Sequence, residues 1–355
     1  MKKILIINPF GIGDVLFTTP VVQALKKEFP DSFIAYLCNR QVEPVLRNNP
    51  DIDMLLFYTR GDLKALHRQS LFDYLKTLLL ALHRVRSMRF DIAFDLSLVN
   101  QYSVVLRLLG VRRRYGFDYK GRGLFLTDKI AIKGFREKHV VDYYQDLLKL
   151  AGIAFFERKT RIYMSAADKK SAEELLRVNS LSSGELRIGC APFGGASWGK
   201  DARRKQWPLE NYAAVVKKII TRHRAKIIIF GVAADRQNFE TLKKMLGGQD
   251  IIDMVGKTDL GQLAALISGC ALFLGNDSGP LHLACACGVK TVSIFGPADK
   301  KVYGPIGDAD CHIVVSANTP CRPCYKNFQK PNCTEMNCLR DIREQDVLNA
   351  IERLL

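Results

Sequence analysis

The chain has 355 residues, 48% hydrophobic and 25% charged, an ordinary soluble composition with room for two α/β domains. Lys2 and Lys3 precede only a short apolar run broken by Asn8 and Pro9, and no apolar stretch approaches the ~20 residues of a membrane span. A cytoplasmic protein is therefore expected, whose 10 cysteines are not a disulfide framework by default, and whose net charge of +17 asks for an anionic partner.

The first predicted element is a strand in KKILIINPF (2–10), followed by a tight turn Gly11-Ile12-Gly13-Asp14 and an apolar-striped helix over 15–29. The turn lacks the third glycine of a dinucleotide fingerprint, and no acidic residue closes a second strand at YLCNR (36–40). Asp14 would repel a pyrophosphate there; it suits a base at the mouth of a sheet. Strands are predicted at 33–38, 54–58, 92–96 and 161–164, with helices at 139–151 and 168–178. Residues 63–89 read as an amphipathic helix with Leu71, Leu75, Leu78, Leu82 and Val85 on one stripe and Lys64, Arg68, Lys76, Arg84, Arg86 and Arg89 on the polar face. That pattern fits a core-packed helix with a solvated basic face, or one that meets an anionic membrane or polyanionic substrate. The densest basic run is Arg107 to Arg122.

A polar break at SLSSGE (180–185) predicts a division into domains 1–180 and 181–355. The second half opens with a strand at 186–192 and a loop, APFGGASWGKDARRKQWP, whose glycines, Ser197 and cations Arg203, Arg204 and Lys205 suit a diphosphate. Helices at 208–222, 235–246 and 259–269 alternate with strands at 225–231 and 251–255. Asp235 can take ribose hydroxyls or cap its helix, and Asp259 reads as an N-cap. In ALFLGNDSGPLHLACACG (271–288) a buried strand enters a glycine-bracketed polar turn, and Pro280 opens a helix carrying His282. This geometry aims a helix N-terminus at an anion, typically phosphate, and a strand at 289–296 completes a βαβ unit. Cys321, Cys324, Cys333 and Cys338 lie in a Pro-, Lys- and Asn-rich loop; they could hold a structural zinc, form disulfides or stay free. A last helix, 342–354, is expected to pack back across the boundary.

Strands alternating with helices predict parallel sheets covered on both faces: two Rossmann-like domains with ligands at the C-terminal ends of the strands, facing a central cleft. Several of these segments, taken in order, resemble glycosyltransferase family 9, the lipopolysaccharide heptosyltransferases. They are NPFGIGDVLFTTPVVQALKKEFPDSFIAYL, RFDIAFDLS (89–97), KHVVDYYQDLLKLAGI (138–153), RKQWP (204–208), GKTDLGQLAALI (256–267) and LGNDSGPLHLACACGVKTVSIFGP (274–297). The CRPCYKNF tail with its two later cysteines is similar to the heptosyltransferase II members. The resemblance implies a GT-B fold, with an N-terminal acceptor domain and a C-terminal donor domain. It implies transfer of heptose from ADP-L-glycero-D-manno-heptose, with inversion and no required metal, to the inner core on lipid A at the cytoplasmic face of the inner membrane.

Matched residue by residue, the resemblance implies Asp14 as general base and Lys205 as the donor-phosphate lysine. It places Asp277, Ser278, Gly279 and His282 on a donor-binding D-[ST]-G-x-x-H segment and Thr258 beside the adenine. Asp235 stands where a Glu is usual near the ribose, and the longer glycine-rich loop 193–201 carries Ser197 as a phosphate ligand. Gly13, Arg60, Arg113 and Arg114 are expected at the acceptor. The competing readings are a family 9 transferase with another nucleotide-sugar or acceptor, and a basic nucleic-acid-binding protein with a zinc-like cysteine loop.

Overall fold

The computed structural model describes residues 1–57, 70–179, 181, 184–195 and 198–355; of residues 74, 75, 78 and 81 it describes the backbone alone. Arg60 and Ser197, and the first part of the helix expected at 63–89, lie outside these residues. The chain divides into two compact units, one of residues 1–134 and 141–157, the other of 135–140 and 158–355. The helix Ala166–Val178, placed by sequence in the first half, packs in unit 2, where Gln262 Nε2 donates to Ser171 Oγ at 2.7 Å.

Each unit is built on a six-stranded parallel sheet. Unit 1 holds β1 (Lys3–Ile7), β2 (Phe33–Cys38), β3 (Met54–Phe57), β4 (Ile92–Asp95), β5 (Arg113–Tyr119) and β6 (Asp128–Ile132), in the order β3-β2-β1-β4-β5-β6. Unit 2 holds β7 (Arg187–Ala191), β8 (Lys226–Gly231), β9 (Ile251–Val255), β10 (Leu272–Asn276), β11 (Lys290–Ile294) and β12 (His312–Val315), in the order β12-β11-β10-β7-β8-β9. Counted within each unit, both orders are 3-2-1-4-5-6, the doubly wound arrangement in which a crevice opens between the first and fourth strands. The central strands KILII and LFLGN are buried almost throughout because helices cover both faces.

The helix expected at 15–29 begins earlier and breaks in two, Ile12–Leu16 and Thr19–Glu28. Pro20 cannot donate to a continuing ladder, and Thr18 turns its hydroxyl onto Val15 O at 2.7 Å. Residues 161–164 form no strand. Strands β5, β6 and β12 escaped the sequence reading, as did the helix Asn100–Leu108 and the single-turn helices Glu43–Leu46, Lys300–Tyr303 and Asn337–Arg340. The last helix, Glu344–Leu354, packs within unit 2: Val347, Leu348, Ile351 and Leu354 are buried, and it lies against the helix Leu209–His223 and strands β11 and β12.

Candidate active site

In unit 1 the crevice lies between β1 and β4. Asn8, fully buried just past β1, donates from Nδ2 to Asp14 O at 3.0 Å and accepts from Phe10 N at 3.2 Å; its own N–H reaches Leu37 O at 3.0 Å. One side chain thus fixes the turn that delivers Asp14 to the first turn of its helix. There the carboxylate is partly exposed. Gly13 lies beside it in the same turn. The neighbouring strand end supplies a second carboxyl that sequence reasoning did not single out. Asp95 pairs in register with Ile7 and is buried. Burial pushes its pKa up to about 6, although Ser97 N (3.0 Å) and Ser97 Oγ (2.5 Å) donate to it and oppose the rise.

Arg113 and Arg114 do not join this crevice. The register sets Ile4 beside Ile92 and Ile92 beside Arg113, so both arginines sit at the far, N-terminal end of the sheet. Arg114 is buried and committed to the carbonyls of Phe125 (2.7 Å) and Val111, while Arg113 approaches Asp128 at 3.4 Å. The cations at the C-terminal end are others. Arg40 lies over the Phe57 ring at 4.4 Å, and Lys120 and Arg122 lie over the Tyr119 ring at 5.1 and 5.7 Å. All three are exposed and follow the ends of β2 and β5. Only their position past a strand end distinguishes them, and for Lys120 and Arg122 that is invisible until β5 is located.

In unit 2 the crevice lies between β7 and β10. Asn276, fully buried at the end of β10, donates to Pro192 O (3.0 Å) and Phe193 O (3.1 Å) and accepts from Trp207 N (3.1 Å). It ties the exit of β7, the start of the helix Leu209–His223 and the polar turn into one piece. The loop from β7 folds tightly: a Cβ on Gly194 would lie 2.1 Å from Ala202 O, so only glycine fits. Gly195, at φ +75°, brings its backbone against Ser278.

This loop ends at Lys205, which is buried, with Nζ 2.6 Å from Asp277 Oδ2 and 4.9 Å from the centre of the Trp198 ring. His282 Nε2 stands 3.9 Å from the other Asp277 oxygen. Burial alone would raise the Asp277 pKa, but the Lys205 ammonium and then His282 outweigh it and hold the carboxyl below its ordinary value. Ser278 is the N-cap residue of Gly279–Ala286, yet its hydroxyl makes no cap hydrogen bond. Ser278 Oγ is buried without a hydrogen-bond partner. A buried hydroxyl left over at a helix N-terminus is what an incoming anion would use.

Asp277, Ser278, Gly279, His282 and Lys205 are therefore gathered in one place. Asp235 and Thr258 stand at the ends of the next strands, β8 and β9. Asp235 accepts from Val232 N at 2.9 Å, holding its own turn, and burial raises its pKa. Thr258 precedes Asp259, which caps Leu260–Ser268 reciprocally with Gln262 (2.8 and 3.0 Å). His139 also belongs to this unit. Its Nε2 lies 3.1 Å from Gly304 O, and burial lowers its pKa to about 4, so the ring is neutral near pH 7 and donates that hydrogen bond.

The cysteine loop, remote in sequence from the phosphate motifs, packs directly on the Lys205 loop. Arg204 donates to Pro331 O (2.8 Å) and Asn332 Oδ1 (3.1 Å) and pairs with Asp201 at 2.8 Å. Lys330 donates to Trp198 O at 2.8 Å. Arg204 is thus a brace and not a spare phosphate ligand. Cys321, Cys324, Cys333 and Cys338 are free thiols lining one pocket with Arg204 and Glu335. Burial and the neighbouring thiols push Cys324 up and Cys338 up to about 11. Among the described residues no group of three or more His, Cys, Asp or Glu is arranged to hold a metal ion.

Residues 80–334 match the model of "Glycosyltransferase family 9 (heptosyltransferase)". The chain belongs to glycosyltransferase family 9. This transferase is 25% identical over 354 residues to lipopolysaccharide heptosyltransferase 3 of Escherichia coli K12, across 97% of this chain and 95% of that protein. A family 9 glycosyl transferase from Veillonella parvula superposes with a TM-score of 0.79 at 25% identity, covering 99% of this chain and 97% of its own. The ADP-heptose lps heptosyltransferase II of E. coli superposes with a TM-score of 0.76 at 23% identity, covering 100% and 98%. The fold of the transferase is accordingly GT-B, with two doubly wound sheets.

Proposed function

We propose that this transferase moves heptose from ADP-heptose to a lipid-linked sugar of the lipopolysaccharide inner core, with inversion, using unit 1 for the acceptor and unit 2 for the donor. The names of the relatives support the sugar and the nucleotide. The observation that carries the donor half is the buried, partnerless Ser278 hydroxyl at a helix N-terminus, beside the Lys205–Asp277 pair. In the reaction Asp14 takes the proton from an acceptor hydroxyl as that oxygen bonds to the anomeric carbon. The bond from this carbon to the distal phosphate oxygen breaks on the opposite face, and ADP leaves. Charge grows on that oxygen, where Lys205, the helix dipole and Ser278 Oγ can stabilise it. Asp277 holds Lys205 in place, and Asp235 and Thr258 are positioned for ribose and adenine. Arg40, Lys120 and Arg122, rather than Arg113 and Arg114, would meet anionic groups of the acceptor. No described helix is long and apolar enough to cross a membrane, so the lipid-linked acceptor would be met at the cytoplasmic membrane face from outside the bilayer.

The test is transfer in solution. Purified protein given ADP-heptose and a core acceptor lacking its terminal heptose should release ADP and form a linkage of opposite anomeric configuration, read by NMR. Retention of configuration, or turnover only with a uridine or guanosine diphosphate sugar, overturns the reading.

A further inference from the structure

Among the described side chains of the helix Leu71–Met88, one apolar group is covered and another is exposed. Val85 and Met88 pack on the core of unit 1. Leu71, Phe72, Leu79 and Leu80 are exposed at 58%, 75%, 65% and 60%. At about 100° per residue Phe72 and Leu79 lie roughly opposite Val85 and Met88, with Leu71 and Leu80 about a quarter-turn to either side of them. Of the stripe on which Leu71 was expected to be core, Leu71 is exposed and Val85 is packed on unit 1. Four large side chains in contact with water over one half of a helix are a binding surface or a liability.

The topology says where this face is. The helix leads into β4, so it runs antiparallel to the strands. Its N-terminal end lies at the C-terminal edge of the sheet, the edge that carries Asp14, Arg40, Lys120 and Arg122. The charges around the face have one dominant sign: Lys76, Arg84, Arg86 and Arg89 are exposed, against Asp73 alone among the carboxylates of the helix. Long basic side chains among and beside exposed apolar ones match a bilayer with anionic headgroups, where the apolar groups enter the acyl boundary and the cations reach up to phosphates.

We propose that Leu71–Met88 is an in-plane membrane anchor, which lays Leu71, Phe72, Leu79 and Leu80 into an anionic bilayer and holds the Asp14 edge of unit 1 towards it. It deepens the proposed function, and rests on it for the lipid-linked acceptor. Attachment then has an apolar part that salt does not screen, in addition to the electrostatic part.

Cosedimentation with vesicles of mixed phosphatidylethanolamine and phosphatidylglycerol tests it. The wild type should bind, retain part of its binding at high salt, and bind pure phosphatidylcholine poorly. The double variant Phe72→Glu/Leu79→Glu should lose about tenfold or more of its vesicle affinity, including all of the salt-resistant part. It should keep its ADP affinity by calorimetry and its turnover on a soluble, delipidated acceptor. Phe72→Trp should show blue-shifted emission on these vesicles. Undiminished vesicle binding by the double variant, or an unshifted Trp, overturns the anchor and leaves the transferase reading standing. A wild-type dimer that the double substitution dissociates, with no vesicle binding, also overturns it and makes the face a self-interface. Absence of turnover on every acceptor, with vesicle binding as described, would instead overturn the proposed reaction.

Discussion

In unit 1 the crevice between β1 and β4 is edged by two carboxyls, Asp14 and Asp95. In unit 2 the equivalent crevice between β7 and β10 is edged by Lys205, Asp277, Ser278 and His282. Both crevices are framed by a fully buried asparagine at a strand end, Asn8 in one and Asn276 in the other. The strand order is the same, and the chemistry is opposite. A partly exposed carboxylate near a helix N-terminus can accept a proton. A buried carboxylate beside an ammonium cannot readily do so, and serves to fix the cation. On the proposed reading, one arrangement of strands would yield a proton acceptor in one unit and an anion site in the other, through what stands next to each aspartate.

The sharpest break of this comparison is Asp14→Asn. Turnover should fall by roughly 10²–10⁴, the usual value of a general base, while ADP affinity measured on unit 2's site is unchanged. A variant keeping a third or more of wild-type turnover would remove Asp14 from the proton transfer.

Lys205→Ala attacks the other crevice and should be costly in two ways. It leaves Asp277 buried without its cation, which destabilises the fold by about 3–5 kcal/mol in comparable cases. It also removes a charged ligand, so ADP affinity should fall by about 1.5–3 kcal/mol. The double variant Lys205→Ala/Asp277→Asn separates the two. Chemical denaturation should show most of the stability restored, and calorimetry should show ADP affinity still lost. Restored ADP binding would mean that Lys205 is a structural partner only.

Asp95 gives the comparison a pH axis. The folded protein holds its proton up to about pH 6, against 3.8 for an ordinary aspartate. For this group, folding stability is full below about pH 4, declines as pH rises through 6, and stays at the lower value above that. About two pH units correspond to roughly 3 kcal/mol as an upper bound. Asp95→Asn should therefore be more stable than wild type at pH 7 and equal to it near pH 4, read from denaturant midpoints at the two pH values. A wild type that gains stability from ionising Asp95 would reverse the sign.

The legibility of these two crevices differed for physical reasons. Unit 2 was readable because its site is local: Asp277, Ser278, Gly279 and His282 follow one apolar strand within a few residues, and Lys205 ends one loop. Its scaffold was less so, since Asn276 acts on Pro192, Phe193 and Trp207, all far away in sequence. Unit 1 gave up Asp14 for the same local reason. It hid β5, because RRYGFDY carries charge where a strand shows apolar alternation. With β5 unseen, Arg113 and Arg114 could not be placed at the wrong end of the sheet, nor Lys120 and Arg122 at the right one. The strands missed are β5, β6 and β12, of which β6 and β12 are edges, short and only half-buried, where the hydrophobic signal is weakest. The brace from the cysteine loop to Arg204 was invisible because proximity in space was judged by distance along the chain.

Ser278→Ala is the smallest change that still sharpens the contrast. Most buried hydroxyls are bonded, and removing one leaves a partner unsatisfied at a cost of about 1–3 kcal/mol. Ser278 Oγ has no partner to leave, and its helix receives no cap from it. Its removal should leave stability unchanged or slightly raised, since a desolvated, unbonded polar atom disappears. If the hydroxyl is held for the donor's phosphate, ADP affinity should drop by about 0.5–1.5 kcal/mol, the net worth of one hydrogen bond, with somewhat more when the acceptor atom is charged. Denaturation and calorimetry on the same preparation read both quantities. Lost stability with intact ADP binding would make Ser278 an ordinary part of the fold. Intact stability with weakened ADP binding would show that unit 2 keeps a polar group unsatisfied for its ligand, whereas in unit 1 the crevice carboxyl Asp95 is already hydrogen-bonded by its own chain.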